Sequence, residues 1–226
     1  MQKPYVICHM MTSIDGRIDC GMTAKLRGVD EYYATLRELN ADAFLSGRVT
    51  AKLELADQGE FQSGCTEILG CEQFSKKAEG PYSVVVDTHG TLLWKSSVVD
   101  ERPLIVICCK QVKKAYLEYL DSKGISWIVC GKERIDLARA CEILLKEFGV
   151  KRLAVVGGGG AINASFLAAD LLDEISLLQA PGIDGRGGMS AVFDGLPQDC
   201  EPAQLKLTGV KQFANGSLWL RYGFAD

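Results

Sequence analysis

Histidine is scarce, and so are the motifs that usually announce a metal or nucleotide site. The two histidines, His9 and His89, lie far apart, and the nine cysteines form no C-x-x-C pair. A four-thiolate zinc site has no spacing to support it, and no metal is expected. Basic charge is not in excess: 25 Lys and Arg stand against 29 Asp and Glu, a net charge of −4. That balance gives no nucleic-acid footprint. No apolar run approaches the roughly 18 residues a membrane span needs. The N-terminal "MQKPYVICHMM" has neither the basic region nor the small-residue cleavage site of a signal peptide, and reads as a first strand. Several cysteines sit inside apolar runs ("YVICHM", "LIVICC", "WIVC"), where a free thiol acts as a small hydrophobe. Reduced thiols and a cytoplasmic location follow as expectations, with no nucleic-acid or membrane partner.

What is present is a series of short apolar, β-branched runs. They are Tyr5–Met10, Asp42–Gly47, Tyr82–Asp87, Leu104–Cys109, Ile125–Cys130 and Arg152–Gly157. Continuous apolarity marks strands covered on both faces, as in largely parallel sheets. Helical patterns alternate with them: "VDEYYATLRELNA", "KQVKKAYLEYLDSKG" with Gly124 as its stop, and "DLARACEILLKEFG". The last pattern puts Leu137, Cys141, Leu144, Leu145 and Phe148 on one face. The last quarter, "DEISLLQAP", "AQLKLTGVKQFA" and "SLWLRYGF", reads as strands with a hairpin turn at Asn215-Gly216. The expected fold is α/β and three-layer, a mixed, mostly parallel sheet with an antiparallel C-terminal edge, formed by residues 1–226 as one domain. Residues 57–81 read as a loop with a short helix, of the kind that flanks active sites.

Three polar, glycine-bearing stretches follow strands. Gly157, Gly158, Gly159 and Gly160 separate the strand "LAVV" from the helix "AINASFLAADLL". Helix N-termini attract phosphate, and glycine admits a ligand to the backbone; a tight strand–helix turn without a ligand is the plain alternative. The run is no Rossmann fingerprint, since it follows a late strand with the wrong spacing, and no P-loop, since no G-K-[ST] follows. In "SGRVTAK", Gly47 could admit a backbone contact, Arg48 offers a fork of donors to a phosphate, and Thr50 is a candidate N-cap. A solvated arginine in a capped turn explains this stretch equally well. "MMTSIDGRIDCG" carries an Asp15-Gly16 turn that exposes amides, or is a functionless loop.

Taken in order, "TSIDGRI", "DAFLSGRVT", "VVVD", "VVGGGG" and "LLDEISLLQAPGIDGRGG" resemble the dihydrofolate-reductase-like superfamily, and within it the reductase branch of riboflavin biosynthesis. The resemblance covers nearly the whole chain. It implies an NADPH-dependent reductase of a phosphoribosylaminouracil or close relative, with a small heterocyclic substrate and a homodimeric state. It implies that Gly157 to Gly160 hold the pyrophosphate. Gly47, Arg48 and Thr50 match the "GRxT" turn at the cofactor's phosphates, and Thr88 and His89 lie at the adenosine-phosphate contacts. Ser13, Ile14, Asp15 and Gly16 match a loop beside the nicotinamide. Three departures stand out. Glu54 and Ala56 occupy the branch's aspartate and proline positions. No Lys or Arg lies between Lys52 and Lys76, where the branch has an arginine for the substrate phosphate. Gly157 stands where the branch has a glutamate.

Hydride transfer needs a proton to follow it. Asp15 and Glu54 are the candidate donors, against plain roles as turn former and solvated helix residue. Asp30 and Glu31 open the helix that anchors substrate in dihydrofolate reductases. They could grip a heterocycle's amidine-like edge, or simply complement the helix dipole. Tyr32 and Tyr33 could stack on such a ring, or pack in the core. A dihydrofolate, pteridine or orphan carbonyl reductase remains a second reading, and a nucleotide-binding module without turnover a third. The zinc deaminase signature found in the bifunctional relatives is absent.

Overall fold

The structure is a computed structural model that describes residues 2–225. In chain order its strands are β1 (Tyr5–Thr12), β2 (Ala43–Gly47), β3 (Gln73–Ser75), β4 (Tyr82–Val86), β5 (Val98–Val99), β6 (Arg102–Cys108), β7 (Ser126–Val129), β8 (Arg152–Gly157), β9 (Glu174–Gln179), β10 (Leu205–Gln212) and β11 (Leu218–Phe224). Its helices are α1 (Cys20–Thr23), α2 (Val29–Glu38), α3 (Arg48–Glu54), α4 (Lys114–Ser122), α5 (Leu137–Lys146) and α6 (Gly159–Ala168). The chain packs as two compact units, Met1–Pro4 with Asp42–Leu153, and Tyr5–Ala41 with Ala154–Asp226. Each is assembled from separate stretches, so no linker in the sequence marks the division.

In the first unit β2, β4, β6 and β7 are successive parallel neighbours. Their apolar runs are buried along β4 and β7, as strands covered on both faces require. Trp94, Tyr116 and Trp127 join Val85, Val106 and Val129 in one core. Helix α5 starts at Asp136, whose carboxylate accepts a hydrogen bond from the Arg139 amide at 3.0 Å. Its buried face holds Ala140, Cys141, Ile143 and Leu144. Leu137 and Leu145, expected on that face, are only half-buried.

Residues 57–81 differ from expectation. They hold β3, antiparallel to β7, and no helix. Their amides go to distant partners instead: Phe61 to the Thr91 carbonyl, Leu69 to Val112 and Gly70 to Lys110. Long-range pairing has overridden the weak local helix signal. Thr50 is likewise not an N-cap. Helix α3 begins at Arg48 with Gly47 as the cap and no side-chain capping bond, which leaves Thr50 inside the first turn.

In the second unit the strand order is β10-β11-β9-β1-β8. β1 and β9 are parallel, while β11 is antiparallel to both β9 and β10. The antiparallel C-terminal edge is therefore as expected. Its hairpin closes at Asn215-Gly216, where Gly216 has φ +89° and Asn215 Oδ1 accepts from the Ser217 amide at 2.9 Å. Behind β1, His9 is fully buried and stacks on Tyr32 with ring centroids 4.8 Å apart. Tyr32 is thus a packing residue rather than a platform for a ligand. The Thr35 hydroxyl donates to the Tyr32 carbonyl and so meets His9 Nε2 as an acceptor. Nε2 then carries the imidazole proton, and Nδ1 accepts from Ser176 Oγ at 2.9 Å. Ser176 Oγ also accepts from Trp219 Nε1 at 2.8 Å. Burial drives the His9 pKa down to about 4.

Candidate active site

The glycine run closes β8 and opens α6. Gly158 is the cap residue and Gly159 takes φ +57°, a left-handed conformation that costs glycine little. A Cβ on Gly159 would meet nothing within 4 Å, so the turn is open there. The first-turn amides of α6 have no partner within their helix, and they carry its positive end. These features fit a phosphate-bearing cofactor. Gly160 is glycine for a packing reason: a Cβ there would lie 2.6 Å from Asp194 Cβ and 2.9 Å from the Ala191 carbonyl oxygen. The fifth residue of the helix, Asn163, is fully buried and donates through Nδ2 to the Val192 carbonyl at 2.7 Å.

The loop after β1 is built as a turn on Ser13. The Gly16 amide donates to the Ser13 carbonyl and the Arg17 amide to Ser13 Oγ, each at 3.0 Å. Ser13 is buried, while Ile14 and Asp15 are exposed. Asp15 accepts from the amides of Asp184 at 2.9 Å and Gly185 at 3.0 Å. The Ser13 hydroxyl and then these amides hold its carboxyl far below the usual carboxylate range. The same bonds tie the loop after β1 to residues 184 and 185. Asp30 is exposed and Glu31 half-buried in the first turn of α2, where they complement the dipole; Tyr33 is exposed.

In the first unit, Gly47 is buried where β2 passes into α3. Arg48 is exposed at the start of α3, Thr50 half-buried, and Glu54 exposed at its end. After β4 the chain turns on Asp87, which is fully buried. Its carboxylate accepts from the Thr91 amide at 2.6 Å, the Leu92 amide at 2.8 Å and Thr91 Oγ1 at 3.1 Å. The Tyr116 hydroxyl donates to the Leu92 carbonyl at 3.0 Å and lies 3.3 Å from the same carboxylate. Thr88 and His89 ride on this turn. The Thr88 carbonyl accepts from the Cys109 amide, and His89 Nδ1 lies 3.8 Å from Cys109 Sγ.

Residues 4–219 match the family model described as the RibD C-terminal domain. The chain belongs to that family. Among curated relatives, the 2,5-diamino-6-ribosylamino-4(3H)-pyrimidinone 5′-phosphate reductase of Archaeoglobus fulgidus is 28% identical over 196 residues, 85% of this chain and 87% of that one. The reductase of the same name from Aquifex aeolicus is 25% identical over 204 residues, 86% and 84% of the two chains. Among solved structures, a pyrimidine reductase-like protein of Corynebacterium diphtheriae superposes with a TM-score of 0.70 at 18% identity, covering 99% of this chain and 92% of that one. This last likeness establishes the shared dihydrofolate-reductase-like fold.

Sequence reasoning missed residues that shape the glycine turn, the loop after β1 and the turn after β4. Asp87 was visible only as the end of "VVVD", Asn163 as one polar residue in an apolar helix, and Arg17 as the last letter of "SIDGR". Burial gives the first two their weight, and burial is not local information. Among the described residues no group of His, Cys, Asp and Glu could hold a metal ion, and no helix is long and apolar enough to cross a membrane.

Proposed function

We propose that this RibD-family chain is an NADPH-dependent reductase of the riboflavin-biosynthesis type. It would act on a 2,5-diamino-6-ribosylaminopyrimidinone 5′-phosphate or the corresponding aminouracil. The observation that carries this is the family match over residues 4–219, supported by curated relatives named as that reductase along most of their length. A bound nicotinamide would supply hydride to the sugar-derived carbon. The chain's own residues bind and orient. In the second unit, Gly157 to Gly160 are assigned to the pyrophosphate, and Ser13, Ile14 and Gly16 to the nicotinamide side. In the first unit, Gly47, Arg48 and Thr50 are assigned to the phosphates, with Arg48 at the 2′-phosphate, and Thr88 and His89 to the adenosine end. Asp30 and Glu31 are assigned to the substrate's polar edge. Asp15 and Glu54 are assigned as the candidate proton donors; a Glu54→Gln chain that turned over as fast as the native one would remove Glu54.

Arg48→Ala is expected to weaken NADPH by about 1.5–3 kcal/mol, the scale of a charged hydrogen bond, and to leave NADH nearly unchanged. Tryptophan fluorescence titration with both coenzymes measures this, and equal losses would refute the 2′-phosphate assignment. Turnover is tested by following NADPH oxidation with the pyrimidinone phosphate, the aminouracil phosphate and dihydrofolate in parallel. Oxidation with dihydrofolate alone would favour the pteridine reading, to which the missing basic residue between Lys52 and Lys76 lends some weight. Tight coenzyme binding with no oxidation would favour a non-catalytic module.

A homodimer is part of the proposal. Strand β10 is an edge strand with all but one residue exposed, and it presents Leu205, Leu207 and Val210 to solvent. An unpaired edge carrying exposed apolar side chains offers a template for pairing with a second chain. Sedimentation at micromolar concentration would show a dimer, and a strict monomer would argue against it. The nine free cysteines support a reducing, cytoplasmic setting.

A further inference from the structure

One segment of the second unit touches both of its ligand-facing loops. Residues 182–194, which follow β9, are glycine-rich and mostly exposed, with Val192 their one buried apolar residue and the Asp184 carboxylate covered beside Arg186. At one end the segment engages the loop after β1. The Ile14 amide donates to the Gly182 carbonyl at 2.8 Å and the Ile18 amide to Ser190 at 3.1 Å. Arg17 forms a backbone bridge with Ala191, and its Nη1 donates to the Met189 carbonyl at 2.5 Å. Asp15 accepts from the amides of Asp184 and Gly185, and Arg186 pairs with Asp19 at 3.0 Å. At the other end the segment engages the glycine turn. The Asp194 amide donates to the Gly160 carbonyl at 3.2 Å, and Asn163 Nδ2 to Val192. Gly160 lies flush against Asp194.

The two loops are separated by more than 140 positions in the chain (Ser13 against Gly157), yet this segment bonds to both. So little apolar burial means that its order rests on these hydrogen bonds, and segments of that kind open locally at low cost. Two buried atoms next to it are unsatisfied, Asn163 Oδ1 and Arg17 Nε. Each sits at an attachment point, and each marks a place where the segment is held at some cost in hydrogen bonding.

We propose that residues 182–194 are a strap that fixes the glycine turn and the loop after β1 in one arrangement, with Asn163 and Asp15 as its two positioning residues. The strap prepares both loops for the coenzyme before it arrives, lowering the ordering cost of binding. Its effect on the coenzyme rests on the reductase reading above. The strap itself does not.

The test therefore begins on the coenzyme-free chain. Amide hydrogen exchange is followed by mass spectrometry in the peptides covering 13–18 and 157–162, for the native chain, Asn163→Ala, Asp15→Ala and the double variant. Loss of either pin is expected to speed exchange about tenfold in both peptides, the scale of one net hydrogen bond. The double variant should be no faster than the faster single one, because one unit is already released. Should Asn163→Ala fail to fold, Gly160→Ala pushes the strap away by contact and should give the same two-ended signature. Exchange that rises only at the substituted end, or effects that add, would overturn the proposal. In turnover, Asn163→Ala should raise the coenzyme KM about tenfold with kcat nearly unchanged; a loss in kcat alone would count against the strap. A chain that never bound coenzyme would sink the reductase reading and leave the exchange result standing.

Discussion

Asp87→Ala is expected to lower folding stability by about 3–5 kcal/mol, the cost of removing one partner from a buried, charge-assisted set. The carboxylate is fully buried and gathers the amides of Thr91 and Leu92. Alanine cannot accept from them, and the Leu92 amide is left buried without its partner. Asp87→Asn keeps one acceptor oxygen and should lose less. Urea unfolding of both variants measures the difference. A loss below about 1 kcal/mol for the alanine variant would mean that the turn holds itself without the carboxylate, since that is the scale of a single net hydrogen bond. Because Thr88 and His89 sit on this turn, the same variant should weaken coenzyme binding as well.

The second large effect is a pH dependence. His9 is buried neutral, with a folded pKa of about 4 against an ordinary 6.5. Between those values the unfolded chain binds a proton that the folded chain refuses, so stability rises with pH across the window. Above pH 6.5 both states are neutral at this residue and the slope vanishes. Two and a half pKa units correspond to about 3 kcal/mol lost on going from neutral pH down to the folded pKa. Asp15 and Asp184, both depressed by their hydrogen-bond partners, add their own losses only at lower pH, once carboxylates protonate. Urea midpoints from pH 7 to 4.5 should fall steadily in the native chain. A His9→Gln chain should show a flatter curve over the same range. A native curve that stayed level down to pH 5 would show that His9 is not held neutral.

Most of the fold was legible because most of it is local. β1, β4 and β8 announce themselves as apolar runs, α5 by its Asp136 cap and periodic face, and the C-terminal hairpin by Asn215-Gly216. What could not be read depends on partners far along the chain. β3 exists because Gln73 to Ser75 meet β7, and nothing within residues 57–81 says so. Thr50 has the chemistry of a cap, but Gly47 reaches the position first. The turn after β8 and the Asp15-Gly16 turn were legible as local structure, in their glycines. What the residue type could not say is that the Asp15 carboxylate accepts from the amides of residues 184 and 185. The strap escaped notice for the same reason, since a glycine-rich polar stretch carries no periodicity to betray what it bonds to.

The account stands on hydride transfer from a reduced nicotinamide to a pyrimidine-linked sugar carbon. The chain should be incubated with the pyrimidinone phosphate and NADPH deuterated at the transferring position, and the product weighed by mass spectrometry. The expected product carries one deuterium and a reduced, open-chain ribityl group. Unchanged substrate in the presence of bound coenzyme, or a reduced product without the label, would contradict it.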